Sequence, residues 1–211
     1  VPIYKTITVT KATKVYIWKV TETEEALSEN IQLTSHCQER MLGMKSQLHR
    51  RAFLSIRHLF AAAGFEDRDV YYSEMGKPFL KNGHHISITH SYNFTAIIVS
   101  ETMPVGIDIE KQRDKILRIA HKFTPFEEYR TLANTAAVIR KLTIVWGAKE
   151  SLYKIYGQQG LSFLKHININ DFTFDGSKTL GYVYFEGQKS LYDISFLEFE
   201  GFTAVYAQQQ V

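Results

Sequence analysis

The sequence predicts an α+β protein built as two β-helix-β halves, and three observations carry that prediction. Segments of alternating apolar and polar residues open and close the chain; helical periodicity interrupts each set of strands; and Glu101–Pro104 joins two such runs. That order fits two halves, residues 1–103 and 104–211, better than one α/β sheet. With 211 residues and 45% apolar content, the chain can fill a core as one large domain or two small ones.

Residues 3–10 and 14–20 alternate and are rich in Thr, Val, Ile and Tyr, which predicts a hairpin. Met41, Met44, Leu48, Ala52, Ile56 and Leu59 recur at helical spacing, with Gly64 as the stop. Glu74-Met75-Gly76-Lys77-Pro78 reads as a turn, and 85–90 and 94–100 as strands joined at Ser91-Tyr92-Asn93. Residues 104–110 form another strand. Thr124-Pro125-Phe126-Glu127 has the form of a capping box with proline at the first helical position. A long helix is expected over 135–156, ending at Gly157, followed by strands near 166–174, 179–186, 190–199 and 202–207.

Twenty-five Lys and Arg against 22 Asp and Glu leave a net charge of only +3, too mild for general nucleic-acid affinity. An anion site must therefore come from local clustering. Residues 40–65 carry Arg40, Lys45, Arg50, Arg51 and Arg57 and no acid. The single cysteine, Cys37, excludes an intramolecular disulfide and reads as structural. No apolar run approaches the roughly 18 residues of a membrane span. The start shows no signal-peptide pattern, and its lack of methionine fits a trimmed N-terminus. A cytoplasmic location is expected.

Chemistry concentrates in two segments, Val105–Glu110 and Trp146–Lys154. Strand alternation puts Asp108 and Glu110 on one face, about 7 Å apart. They are either the wet face of a half-buried strand or a Mg²⁺ site, since Mg²⁺ takes one or two carboxylates with waters and phosphates. Gly106 on the same face removes bulk beside them. Glu150 and Lys154 form an ordinary i,i+4 helix pair or part of that site. Lys149 falls within the stripe Leu142, Trp146, Tyr153 and Tyr156, so it must snorkel or meet an anion. Trp146 itself reads as core rather than as a cofactor stack. His90 ends an apolar strand, either as a hydrogen-bonded imidazole or as a phosphate donor. Lys77 is a turn lysine held by Gly76 and Pro78, Glu127 a capping or supporting acid. Arg51 or Arg57 belongs to a solvated helix face or grips a phosphate in a guanidinium fork. Walker loops, GxGxxG, zinc spacings and nucleophile elbows are missing.

Taken in order, these motifs resemble the 4′-phosphopantetheinyl transferases of the larger, surfactin-synthetase-activating (Sfp) type. The family's Gly-Lys-Pro turn matches Gly76-Lys77-Pro78, and its Ser-His-Ser strand end matches Thr89-His90-Ser91. Gly106-Ile107-Asp108-Ile109-Glu110, Phe123 to Glu127, Trp146 to Lys154 and Gly160-Leu161-Ser162 follow in family order. Thr89 replaces the usual serine, and Gly147 stands where a small polar residue is common.

The resemblance implies a pseudo-dimer of two similar halves, with coenzyme A in the cleft between them. It assigns Mg²⁺ to Asp108, Glu110 and Glu150. Coenzyme A contacts fall to Lys77, Pro78, Thr89, His90, Lys149, Lys154 and an arginine, Arg51 in preference to Arg57. The serine of an apo acyl or peptidyl carrier protein would attack the β-phosphorus and release 3′,5′-ADP, with Asp108, His90, Lys154 and Glu150 catalytic. Glu150 is the leading acceptor for the serine proton. Gln112 to Phe123, a mixture of basic and apolar residues, is either a carrier-docking face or an ordinary amphipathic helix. A monomer without nucleic-acid or membrane partners is expected. A Mg²⁺-dependent phosphoesterase, or a non-catalytic relative that binds coenzyme A or a carrier, would carry the same acids.

Overall fold

The opening hairpin forms where the Thr- and Val-rich alternation predicts it: β1 (Lys5–Thr10) pairs antiparallel with β2 (Thr13–Lys19). A computed structural model describes residues 3–129, 132 and 134–210, apart from the Glu127 side chain. The chain divides into two units, Val1–Thr102 and Met103–Val211. Among the described residues each holds one large antiparallel sheet and one long helix, the first unit also a two-stranded sheet, a mixed α and β composition.

In the first unit the hairpin leads through α1 (Glu24–Ser28), α2 (Ser35–Leu42) and α3 (Gln47–Ala62). A short hairpin of β3 (Val70–Tyr72) and β4 (Pro78–Leu80) follows, then β5 (His85–Ser91) and β6 (Phe94–Ser100). The sheet order is β1-β2-β6-β5. Leu54, Leu59 and Phe60 of α3 cluster with Ile86, Ile97 and Val99 of the sheet. The predicted helix starts later than its apolar spacing suggests. Gly43 closes α2 through its N–H to the Glu39 carbonyl, and Ser46 caps α3 afresh, so Met41 and Met44 stand outside α3. The β3–β4 strands escape the sequence because three residues are too few to display a period. Pro78 is tolerated there as the first residue of its strand.

The second unit comprises β7 (Val105–Lys111), α4 (Lys115–Ile119), α5 (Thr135–Tyr156), β8 (Ile167–Ile169), β9 (Lys178–Phe185), β10 (Gln188–Phe199) and β11 (Phe202–Gln209). Its sheet runs β7-β11-β10-β9-β8. Leu142, Val145, Ala148 and Leu152 of α5 pack with Val183, Ile194 and Val205. Helix α5 ends as predicted: Gly157 takes a left-handed φ of 68°, and its N–H returns to the Tyr153 carbonyl.

Two expectations fail here. Thr124-Pro125-Phe126 does not open an α-helix, because the Thr124 N–H still bonds back to Ala120 and Pro125 is extended. Among the described residues a 3₁₀ turn follows, over Phe126–Glu128; the Thr124 hydroxyl donates to Glu128, and the expected role of the Glu127 side chain lies outside the described residues. Strand β8 also stops at Ile169 rather than near 174, since Asp171 and the Phe172 carbonyl turn to accept from Lys141. Among the described residues no helix is long and apolar enough to cross a membrane.

Candidate active site

Strand alternation turns Gly106, Asp108 and Glu110 toward α5, and two glycines let helix and strand approach. A Cβ on Gly106 would stand 2.0 Å from the Ser151 carbonyl oxygen; one on Gly147 would stand 2.8 Å from Val205 Cγ2. The same Gly147 position lies 3.8 Å from Asp108 Oδ2, which is buried. Lys154 reaches back along the helix: its Nζ donates to Asp108 Oδ1 and to the Ile107 carbonyl, both at 2.8 Å.

Glu110 and Glu150 complete this group. Burial pushes the Glu110 carboxyl up and the Asp108 charge adds to it, while the Trp146 indole, Arg113 and Lys154 pull it down. Burial, helped by Asp108 and Glu110, pushes Glu150 to about 7 against the opposing charge of Lys154. These acids feel one another's charge. Yet among the described residues no three of His, Cys, Asp or Glu form a ready-made metal cage. The two observations agree if Lys154 now supplies the positive charge that the carboxylates share. Chemically the donors suit a hard divalent cation, being oxygen ligands whose mutual repulsion such a cation would relieve. Asp108, Glu110 and Glu150 are the residues that could hold it.

In the first unit, a separate pocket of about 300 Å³ gathers Arg40, His49, Arg57, Tyr72, Gly76, Pro78 and His90. The His49 and His90 rings lie 5.8 Å apart, and the Arg40 guanidinium sits 5.0 Å from the Tyr72 ring. His90 and Pro78 thus line one pocket, together with His49 and Arg40. The sequence carried one clue to both, their place in the acid-free stretch 40–65. Thr89 is buried and, by alternation, faces the other side of the sheet from His90. Lys77 follows the turn, half-buried, its ammonium 5.8 Å from the Phe79 ring; burial lowers its pKa. Arg51 is half-buried and spends one nitrogen on the Val20 carbonyl at 3.5 Å.

Two expected phosphate ligands serve the protein's interior instead. Lys149 is 2% exposed and donates to the Phe123, Phe163 and Ile167 carbonyls at 2.5, 2.8 and 2.7 Å. Three acceptors exhaust an ammonium's three donors. Burial lowers its pKa to about 8, which still leaves it charged at neutral pH. Arg57 is 4% exposed and donates to Asp67 at 2.9 Å, to the Phe53 carbonyl and to Cys37 Sγ. Its guanidinium also lies 3.4 Å from the Phe53 ring centroid. The apolar stripe and the basic run held these side chains in sequence, but their partners come from distant segments.

The sequence profile of the 4′-phosphopantetheinyl transferase superfamily (ACPS) matches residues 104–208. Over those residues, just under half of its length, the chain is similar to the 4′-phosphopantetheinyl transferase superfamily. It is similar to 4′-phosphopantetheinyl transferase gsp of Aneurinibacillus migulanus, at 33% identity over 119 residues, 56% of this chain and 48% of that protein. It is also similar to 4′-phosphopantetheinyl transferase psf-1 of Bacillus pumilus, at 31% identity over 113 residues, 50% of this chain and 46% of that one. The chain thus spans about half the length of the curated relatives it matches. The superfamily match contains Asp108, Glu110, Glu150 and Lys154, and begins after His90, Lys77 and Arg51.

Residues Gln112 to Phe123 form an amphipathic segment. Ile116 and Ile119 pack toward the core while Phe123 is buried in it; Gln112 donates to Glu198 and Thr203. Arg113, Lys115, Arg118 and Lys122 remain exposed, with Leu117 at 37%. Glu110, Lys111, Arg113, Lys115, Ile116, Ile119, Thr143 and Trp146 line a pocket of about 190 Å³ at this place.

Proposed function

We propose that this protein transfers the 4′-phosphopantetheine arm of coenzyme A to a serine of an apo acyl or peptidyl carrier protein. In the transfer, the serine oxygen bonds to the β-phosphorus, the bond from that phosphorus to the ADP oxygen breaks, and 3′,5′-ADP leaves. One observation carries the reading: Asp108, Glu110, Glu150 and Lys154 interact within the segment that matches the superfamily. Mg²⁺ held by the three carboxylates would supply Lewis acidity and a template for the pyrophosphate.

The chain's own groups account for the rest. A Glu150 carboxyl near neutrality is suited to accept the serine proton at physiological pH. Lys154, already beside Asp108, offers positive charge where negative charge would develop on the leaving phosphate oxygen. His90, with Pro78, His49 and Arg40, forms the basic pocket that a second phosphate of coenzyme A would enter. Lys77, Thr89 and Arg51 belong to the same coenzyme A proposal. An acidic carrier would meet the exposed Arg113, Lys115 and Arg118. A cytoplasmic monomer completes the reading.

The test is intact-mass analysis of several apo carriers incubated with the protein, Mg²⁺ and coenzyme A. Addition of the pantetheine arm is expected; turnover of coenzyme A without a carrier would point to a phosphoesterase, and binding without turnover to a non-catalytic relative. Asp108→Ala and Glu150→Ala should each abolish transfer while far-ultraviolet circular dichroism stays unchanged. Full activity in both would remove the carboxylate site from the mechanism.

A further inference from the structure

The Trp-x-x-Lys-Glu segment contains two residues that the transfer chemistry leaves unused, Trp146 and Lys149. Trp146 is half-buried, and its indole N–H, a donor with no acceptor capacity, bonds the Glu110 carboxylate. Both side chains line the same pocket. The indole is clamped by two rings: Phe123 edge-on at 5.1 Å and 67°, and Phe163 at 5.3 Å and 41°. The backbone carbonyls of those same two phenylalanines are held by Lys149 Nζ. A continuous set of contacts therefore runs from Lys149 through Phe123 and Phe163 to Trp146, and from its indole to Glu110.

We propose that Trp146 is a positioning residue that fixes the Glu110 carboxylate for divalent-cation binding, and that Lys149 holds the aromatic clamp that fixes Trp146. The inference rests on the carboxylate site of the proposed function. A glutamate on a strand has three side-chain torsions to order, and Glu110 is only half-buried. An indole held on both sides presents its N–H in one direction and so removes that freedom before a cation arrives. Partners of this kind behind a metal ligand change metal affinity by about 10- to 100-fold when removed. The same contacts explain why Lys149 turns from the neighbouring Glu150. One helical turn then supplies a ligand at Glu150, a support at Trp146 and an anchor at Lys149.

The decisive experiment replaces Trp146 by β-(3-benzothienyl)alanine, which keeps the bicyclic shape and loses the N–H, and in parallel by Phe. Mn²⁺ binding is read by electron paramagnetic resonance in protein saturated with coenzyme A, corrected against coenzyme A alone. Both variants should bind Mn²⁺ about 10- to 100-fold more weakly. The benzothienyl variant should also keep the wild-type melting temperature. Phe163→Leu loosens the clamp but keeps the N–H, and should weaken Mn²⁺ less than the benzothienyl variant does. Wild-type affinity in the benzothienyl variant overturns the positioning role while leaving the carboxylate site standing. Wild-type protein that binds no Mn²⁺ overturns the carboxylate site, and the positioning role with it.

Discussion

Lys149 and Arg57 are both cations placed where a lysine or arginine is costly unless every donor is used. Lys149 uses three on backbone carbonyls, so truncating it removes their donor rather than merely losing a charge. Each buried carbonyl left without a donor costs about 1–3 kcal/mol. Lys149→Met should therefore lower unfolding stability by at least about 3 kcal/mol in urea titration, a loss too large for a surface lysine. A loss below about 1 kcal/mol would mean that the carbonyls find other donors. Sequence pattern alone located Lys149 correctly on an apolar stripe and foresaw that it needed a partner. It offered an anion as that partner because backbone carbonyls from residues 123, 163 and 167 are invisible to local spacing.

At the scale of elements, the contact between β7 and α5 decides where the carboxylates stand. Gly106 and Gly147 face this contact with ordinary negative φ, so their value lies in missing bulk rather than in backbone freedom. A methyl at Gly106 would strike the Ser151 backbone carbonyl at 2.0 Å, whereas one at Gly147 would press less closely, at 2.8 Å, on the side chain of Val205. Gly106→Ala should accordingly lower the melting temperature more than Gly147→Ala, and should also weaken the Asp108–Lys154 contact. A Gly106→Ala melting temperature equal to that of the unsubstituted protein would show that helix and strand can separate without cost. Here the element pattern was readable in advance: β7, α5 and its Gly157 stop follow from alternation, 3.6-residue spacing and a left-handed glycine. The break between α2 and α3 was not, because apolar periodicity persists through Met41 and Met44 while a glycine and a capping serine end one helix and start the next.

For the molecule as a whole, the carboxylate group sets a pH dependence opposite to ordinary acid denaturation. Glu150 holds its proton in the folded state up to about 7, while the unfolded chain releases it near the ordinary value of 4.5. Between those values the folded state binds more protons, so stability falls as pH rises from 4.5 to 7 and then levels. Burial and Asp108 shift Glu110 in the same direction. Asp67 runs the other way. Burial raises its pKa, but the Thr34 N–H and the Arg57 charge outweigh it, so its contribution is lost only as pH falls below the usual carboxylate range. Thermal unfolding without divalent cation should show a melting temperature that declines from pH 5 to pH 7. Added Mg²⁺ should raise it more at pH 8 than at pH 5, since the cation competes with protons for the same oxygens. A flat profile with no Mg²⁺ response at either pH would contradict a shared carboxylate site.

By itself the sequence determined the mixed α and β composition, the principal strands, the long helix and the family resemblance, because these depend on short-range periodicity and on motifs readable along the chain. It also named the acids whose charges prove to interact, since i,i+2 on a strand and i,i+4 on a helix fix their faces. Tertiary structure alone decided which neighbouring charges face which partners. Lys154 turned to Asp108, Lys149 to three carbonyls, Arg57 to Asp67, and the Trp146 indole to Glu110. The physical reason is that a buried charge or donor must be satisfied by whatever polar atom the packed backbone brings within about 3 Å, and those atoms come from residues far away in the chain.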